Sequence, residues 1–238
     1  MTVQLADIQR HVGVKPDGAW GPNTAGAIAK ALGMPTFDRA AFLSRYVNLK
    51  AKALADADLV DAAAKLSVTT KHVRMVLKVE SGGKSFDDRG RPIILFEPHI
   101  FHRQTKGRHS PASFSYTPWR PGKYPRTYDG RWEQMADAAE RDERAALESA
   151  SWGLFQIMGF HWQSLGYDSV QDFAERMTTG EPAQLDAVVR FINENGLAAK
   201  LRACKAGEPE TCRAFAKGYN GGGYATNRYH IKMAEALR

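Results

Sequence analysis

An apolar helical stretch that carries one carboxylate and breaks at two glycines, VRMVLKVESGG from Val73 to Gly83, constrains this chain more than any other feature. Val73, Val76 and Leu77 precede Glu80 by seven, four and three positions, so all four share one helix face. A carboxyl on that apolar face loses hydration, which disfavours its charged form and raises its pKa toward the range where it donates a proton near neutrality. That is the profile of a general acid; the plainer alternative is a salt-bridged glutamate on a buried face. Gly82 and Gly83 end the helix, because glycine tolerates the left-handed cap conformation, and they leave the space above the carboxylate uncrowded. The stretch calls for a fold in which a helix ends at the lip of a cleft.

With 238 residues and 43% hydrophobic content, the chain can bury one good-sized core, or one core and a small satellite domain. A net charge of +7 favours an anionic partner: nucleic acid, a membrane surface or an acidic wall polymer. The absence of a long Lys/Arg run and of an RNA-binding aromatic signature argues against nucleic acid. No stretch is apolar enough for a membrane span, so stable membrane insertion is not expected. The opening MTVQLADIQRHVG lacks the apolar core and cleavage site of a secretory signal, which implies synthesis in the cytoplasm.

Cys204 and Cys212 are too few for a disulfide framework and lack zinc-site spacing; they read as small buried thiols or as one local bridge. His99, His102 and His109 lie near Glu97 without HExxH spacing, so no metal is expected. Gly221 to Gly223 lacks the Lys-Ser/Thr ending of a phosphate loop and reads as a turn that exposes backbone.

Along the chain, VQLADIQRHVG and PNTAGAIAKALG read as two short helices joined by VKPDGAWG, closed by Gly33 and set off by Pro35. FDRAAFLSRYVNLKAKAL follows as an amphipathic connector helix through Phe42, Leu43, Tyr46, Val47 and Leu49. DADLVDAAAKLSV turns Leu59, Ala63 and Leu66 inward and leads into the Glu80 helix. Beyond Gly83 the helical period is lost. Pro92 to Phe96, closed by Glu97 and Pro98, is the one convincing β segment. The Pro- and Tyr-rich SYTPWRPGKYPRTYDG is a candidate lip for a binding groove, or a loop stapled to the core by its aromatics. From Trp132 the chain is helical again. The expected organisation is residues 1–36, a connector at 37–54 and a main domain at 55–238, mainly α with one small β region.

Two resemblances sharpen this reading. Gln9, Gly13, Asp17, Gly18, Trp20, Gly21, Pro22 and Thr24 resemble the pattern of peptidoglycan-binding domains of cell-wall hydrolases, which implies wall-binding roles for Asp17, Trp20 and Thr24. KVESGG, ASWGLFQIM and AKGYNGGG resemble, in order and spacing, the cleft segments of goose-type lysozymes and soluble lytic transglycosylases. More closely, the stretch from about Ala55 to Arg238, with KVESGG, ILFEPH and ESASWGLFQIMGFHW, resembles the bacteriophage endolysin N-acetylmuramidase family.

That resemblance implies a lysozyme-like α+β catalytic domain with Glu80 as the acid. It assigns Ser81, Gly153, Gln156, Tyr219 and Asn220 to the substrate, peptidoglycan glycan strands cut between N-acetylmuramic acid and N-acetylglucosamine, with no cofactor. A monomer is expected, and a phage enzyme without a signal would need a holin to reach the wall in the periplasm.

The second carboxylate is open among Glu97, Asp88 and Asp87. Inversion sets a base about 6.5–9.5 Å from the acid and retention a nucleophile at about 5–5.5 Å. Glu97, between an apolar strand and Pro98, ranks first, Asp88 second, and Asp87 reads as a turn-former. Without any of them the product is a 1,6-anhydro sugar, as lytic transglycosylases manage with one carboxylate.

Overall fold

The computed structural model describes residues 3–20, 22–33, 36–80, 83–119 and 123–238, of which Pro22 is described by its backbone alone. The chain forms two compact units, Met1–Phe42 and Leu43–Arg238. In the first, α1 (Leu5–His11) and α2 (Pro22–Ala31) flank a turn that is organised by one side chain. Gln9, 1% exposed, donates through Nε2 to Asp17 Oδ1, the Ala19 carbonyl and Thr24 Oγ1, each at 2.9 Å, and its Oε1 accepts from the Gly18 amide at 2.8 Å. A buried amide with this many partners fixes a turn too short to have a core of its own.

The connector helix is much shorter than its amphipathic pattern suggests. α3 runs Arg39–Arg45 and stops before Tyr46. The Asn48 amide donates to the Gly90 carbonyl at 2.8 Å and Asn48 Nδ2 to the Thr178 carbonyl at 2.9 Å, so tertiary bonds hold the chain away from the helical path. Leu49 is left 79% exposed, while Tyr46 is fully buried.

The second unit contains α4 (Asp56–Leu66), α5 (Thr70–Glu80), β1 (Ile94–Phe96), α6 (Pro98–Gln104), α7 (Tyr128–Ala139), α8 (Glu143–Glu148), β2 (Ala150–Trp152) and β3 (Ile157–Met158). After these come α9 (Val170–Thr179), α10 (Glu181–Glu194), α11 (Ala198–Arg202), α12 (Pro209–Asn220) and α13 (Tyr229–Ala236). The fold is mainly α with one small sheet. Leu59, Ala63 and Leu66 of α4 are all buried, as their spacing predicts, and Ser67 at φ 52° ends that helix.

The β region is larger than the single segment read from the sequence. β1 pairs antiparallel with β2 (Ile94 opposite Trp152, Phe96 opposite Ala150), and β2 with β3 (Trp152 opposite Ile157). Two of the strands lie inside the ASWGLFQIM motif, too short to show a period of their own. The non-helical stretch expected after Gly83 also contains α6, which Pro98 opens at its first position.

The core centres on Tyr46, Trp132 and Trp152, whose ring centroids are 5.5, 5.6 and 5.7 Å apart pairwise. Both indole N–H groups are satisfied, Trp132 by the Pro92 carbonyl and Trp152 by the Leu147 carbonyl, each at 3.2 Å. Burying each such ring contributes on the order of 2–3 kcal/mol. The loop after α5 is pinned by Asp87, whose Oδ1 accepts from the amides of Arg89 and Arg91 and whose Oδ2 accepts from Arg91 Nε at 2.8 Å. Asp87 is thus the turn-former its sequence setting suggests. Finally, α13 packs against both α5 and α12, which brings the Glu80 helix beside the last helices of the chain.

Candidate active site

Glu80 is the last residue of α5, with Val73 and Val76 buried behind it and its own side chain half-buried. Burial pushes its pKa up from 4.5 to about 7; the Asn220 hydrogen bond and the Lys232 charge act in the opposite sense and are outweighed. The carbonyl end of the helix dipole, where Glu80 sits, also disfavours a negative charge. A carboxyl so placed keeps a substantial protonated fraction near neutral pH and can surrender that proton to an oxygen that becomes basic in a transition state. Gly83, at φ 85°, carries the chain away in the left-handed region. Ser81 and Gly82 lie outside the described residues.

Opposite Glu80 stands the end of α12. Asn220 Nδ2 donates to Glu80 Oε1 at 3.0 Å, across 140 residues of sequence. Tyr219, the residue before it, packs its ring against Phe191 and Phe215 at 5.5 and 5.7 Å. Its hydroxyl is shielded from solvent yet has no hydrogen-bond partner among the described residues. Burial and the nearby Glu80 charge push that phenol well above its usual pKa, so it remains a neutral donor. Two further groups come from α13: Tyr229, raised in pKa by burial and by Glu80, and Lys232, whose ammonium lies 5.2 Å from the Tyr229 ring centroid. Sequence reasoning missed both. Their spacing of three in NRYHIKMAEALR shows a shared helix face, but that this face meets α5 is a tertiary fact.

Glu97 has its own surroundings. It caps α6, its side chain is 18% exposed, and burial raises its pKa. The Tyr124 hydroxyl donates to Glu97 Oε2 and accepts from Trp119 Nε1 at 2.7 Å, and His99 Nδ1 stands 3.3 Å from the same carboxylate oxygen. The Pro- and Tyr-rich loop is therefore tied down by its aromatics at this point. Asp88 is 95% exposed and faces Lys84 at 3.6 Å.

The ASWGLFQIM segment supplies a rigid turn. Gly153 has φ 68°, and a Cβ there would meet Gln184 Cδ at 2.5 Å. Its amide donates to the Ile93 carbonyl and the next amide, of Leu154, to Gln184 Oε1 at 2.7 Å, so both are engaged within the protein. Gln156, at φ 51°, accepts from Ser151 Oγ at 2.8 Å and donates to the Gly153 and Ile93 carbonyls. Of the other histidines, His102 bonds Ser110 Oγ at 2.7 Å and His109 stacks on Phe101. Cys204 and Cys212 are buried free thiols. In the first unit, Asp17 and Thr24 hold Gln9, while Trp20 is 67% exposed.

The family description N-acetylmuramidase matches residues 69–238. Among solved structures, the chain is similar to the endolysin of the Burkholderia phage AP3. The two are 33% identical, the match covers 98% of this chain and 83% of that one, and the TM-score is 0.70. No curated protein matches the chain.

Proposed function

The chain belongs to the N-acetylmuramidase family, and from that premise we propose that Glu80 is the general acid with which this phage-endolysin-type muramidase cleaves peptidoglycan. It is a glycoside hydrolase of the bacterial wall. The bond assigned to it is the β-1,4 link between N-acetylmuramic acid and N-acetylglucosamine. The observation that carries the assignment is the pairing of a half-buried, proton-retaining Glu80 with Asn220 at 3.0 Å. Glu80 protonates the leaving oxygen; Asn220 holds the carboxyl in one rotamer as it becomes anionic; the Tyr219 hydroxyl donates to the sugar. Glu80→Gln keeps the shape and removes the transferable proton. A variant that clears isolated walls at near-parent rate ends this assignment.

For the second carboxylate, Glu97 is the better choice than Asp88, because it is fixed by Tyr124 while Asp88 is solvated. A second reading has its own support: among the described residues, Asn220, Lys232, Tyr219 and Tyr229 interact electrostatically with Glu80, and none of these is a carboxylate. One acid working without a base gives an anhydro sugar instead of a reducing end. Mass spectrometry of the digest separates the two by one water, and predominantly anhydro products demote Glu97 to a structural role.

The first unit is assigned to wall binding, with Trp20 as its exposed aromatic and Asp17 and Thr24 as the frame that presents it. No helix among the described residues is long and apolar enough to cross a membrane. We further propose that the enzyme acts as a monomer on the periplasmic wall and that a holin releases it there; expression without a holin should leave cells intact until chloroform is added.

A further inference from the structure

Two buried thiols stand where α5 and α12 are joined at the ends away from Glu80. His72, in the first turn of α5, donates through Nε2 to the Cys204 carbonyl at 3.2 Å, and its Nδ1 is 2.8 Å from Thr69 Oγ1. Two residues before Cys204, Arg202 donates through Nε to the Ser67 carbonyl at 2.6 Å and through Nη2 to the Leu66 carbonyl at 3.3 Å. Residues 202–204 are thereby pinned to the junction of α4 and α5. The Cys204 thiol is hydrogen-bonded in turn to the thiol of Cys212, the fourth residue of α12.

The opposite ends of the same two helices form the site. Glu80 lies eight residues beyond His72 and Asn220 eight residues beyond Cys212, about 12 Å of helix in each case, and there the Asn220 amide meets the Glu80 carboxyl at 3.0 Å. The helices are thus tied at both ends, through Cys204 at one and through the Asn220–Glu80 bond at the other. Fixing the Cys204 end limits how far Asn220 can drift from the acid.

The two sulfurs are also arranged for chemistry. Cys204 is 4% exposed and Cys212 fully buried. Their shared hydrogen bond favours the thiolate on Cys212, whose pKa it lowers to about 7 against the effect of burial, and keeps the proton on Cys204, whose pKa it raises together with burial. The first turn of α12 places Cys212 at the positive end of the helix dipole, which acts in the same direction. An acidic thiol in contact with a second thiol is the starting arrangement for a disulfide.

We propose that Cys204 and Cys212 are a redox pair, reduced in the cytoplasm and closed to an intramolecular disulfide in an oxidising compartment, where the bond locks the frame that holds Asn220 on Glu80. The oxidant is a disulfide, of a small thiol or of a protein. The Cys212 thiolate attacks one of its sulfurs, forms a mixed disulfide and expels the first thiol. The Cys204 sulfur, giving up its proton, then attacks Cys212 Sγ and expels the second. Together the two cysteines lose two electrons and two protons, and the external disulfide gains both. Burial delays the first attack until the turn at 205–208 opens; Lys205, Ala206 and Glu208 of that turn are exposed. The compartment comes from the wall-cleaving reading, whereas closure of the pair is measured on the protein alone.

The full chain is purified under dithiothreitol, freed of it and incubated with oxidised glutathione. The intact mass should fall by two hydrogens, a peptide map should join the Cys204 peptide to the Cys212 peptide, and dithiothreitol should reverse both changes. The oxidised form should melt about 5–10 °C above the reduced one, the gain expected from closing a short loop in a unit of this size. On isolated walls the oxidised enzyme should cut at the same initial rate at room temperature and survive preheating longer. Cys204→Ala should show neither the cross-link nor the added stability. If that variant does not fold, the oxidised and reduced parent, identical in sequence, still decide. Two free thiols after prolonged warm incubation, a mixed glutathione disulfide or a disulfide-linked dimer as the end product, or an oxidised form that melts at or below the reduced one overturns the proposal. A parent that closes the disulfide and gains stability yet cuts no wall upholds the redox pair and counts against the enzymatic reading instead.

Discussion

The side-chain amide of Asn220 donates to the carboxyl of Glu80 across 3.0 Å, and this bond joins the end of α12 to the end of α5. It favours the charged carboxylate and so opposes the burial that raises the Glu80 pKa. Asn220→Ala should therefore push that pKa above its value of about 7. The alkaline limb of kcat/KM should move upward by on the order of one pH unit, as a charge-assisted bond of about 1.5 kcal/mol implies. A pH–rate profile of the variant with an unmoved alkaline limb would show that another group sets it.

Glu80 should cost the fold stability in a pH-dependent way. Its pKa is raised on folding, from 4.5 to about 7. Below about pH 4.5 the carboxyl is protonated in both states and there is no penalty; the penalty grows as pH climbs toward 7 and is complete above it, at on the order of 3 kcal/mol at most. Glu80→Gln should melt several degrees above the parent at pH 8 and close to it at pH 4. Melting curves at the two pH values test this, and a variant equally stabilised at both would contradict it.

Tyr219 offers a separation of structure from function. Its hydroxyl bonds nothing among the described residues, so Tyr219→Phe removes an orphan donor and should leave stability within about 1 kcal/mol or raise it. If the hydroxyl serves the sugar, kcat/KM on isolated walls should fall about tenfold, the size of one hydrogen bond. A variant with parental activity would place Tyr219 in the packing around Phe191 and Phe215 and nowhere else.

In the first unit, Gln9→Leu should strand the Asp17, Ala19 and Thr24 acceptors that Gln9 now fills. Sedimentation with cell walls is expected to drop while the thermal transition of residues 43–238, monitored by the Trp132 and Trp152 core, stays in place. Undiminished sedimentation would mean that this turn does not organise a wall-binding surface.

The local codes of the chain were sufficient for some of this. The three-and-four spacing that puts Val73, Val76 and Leu77 on the face of Glu80 was enough for a helix with its carboxyl on the apolar side, because helix periodicity is a consequence of near neighbours along the chain. The order of KVESGG, ASWGLFQIM and AKGYNGGG pointed to the family. Local pattern failed where a distant partner decided the outcome. The helix drawn through Leu49 ends at Arg45 because Asn48 finds Gly90 and Thr178, and two strands too short to signal themselves exist because β1 pairs with them. The same holds at the site. Tyr229 and Lys232 interact electrostatically with Glu80 only because α13 packs on α5, and Glu97 gains Tyr124, itself held by Trp119, only because residues distant in sequence come together there. The proton a carboxyl keeps is set by what surrounds it in space, and only the tertiary fold assembles those surroundings.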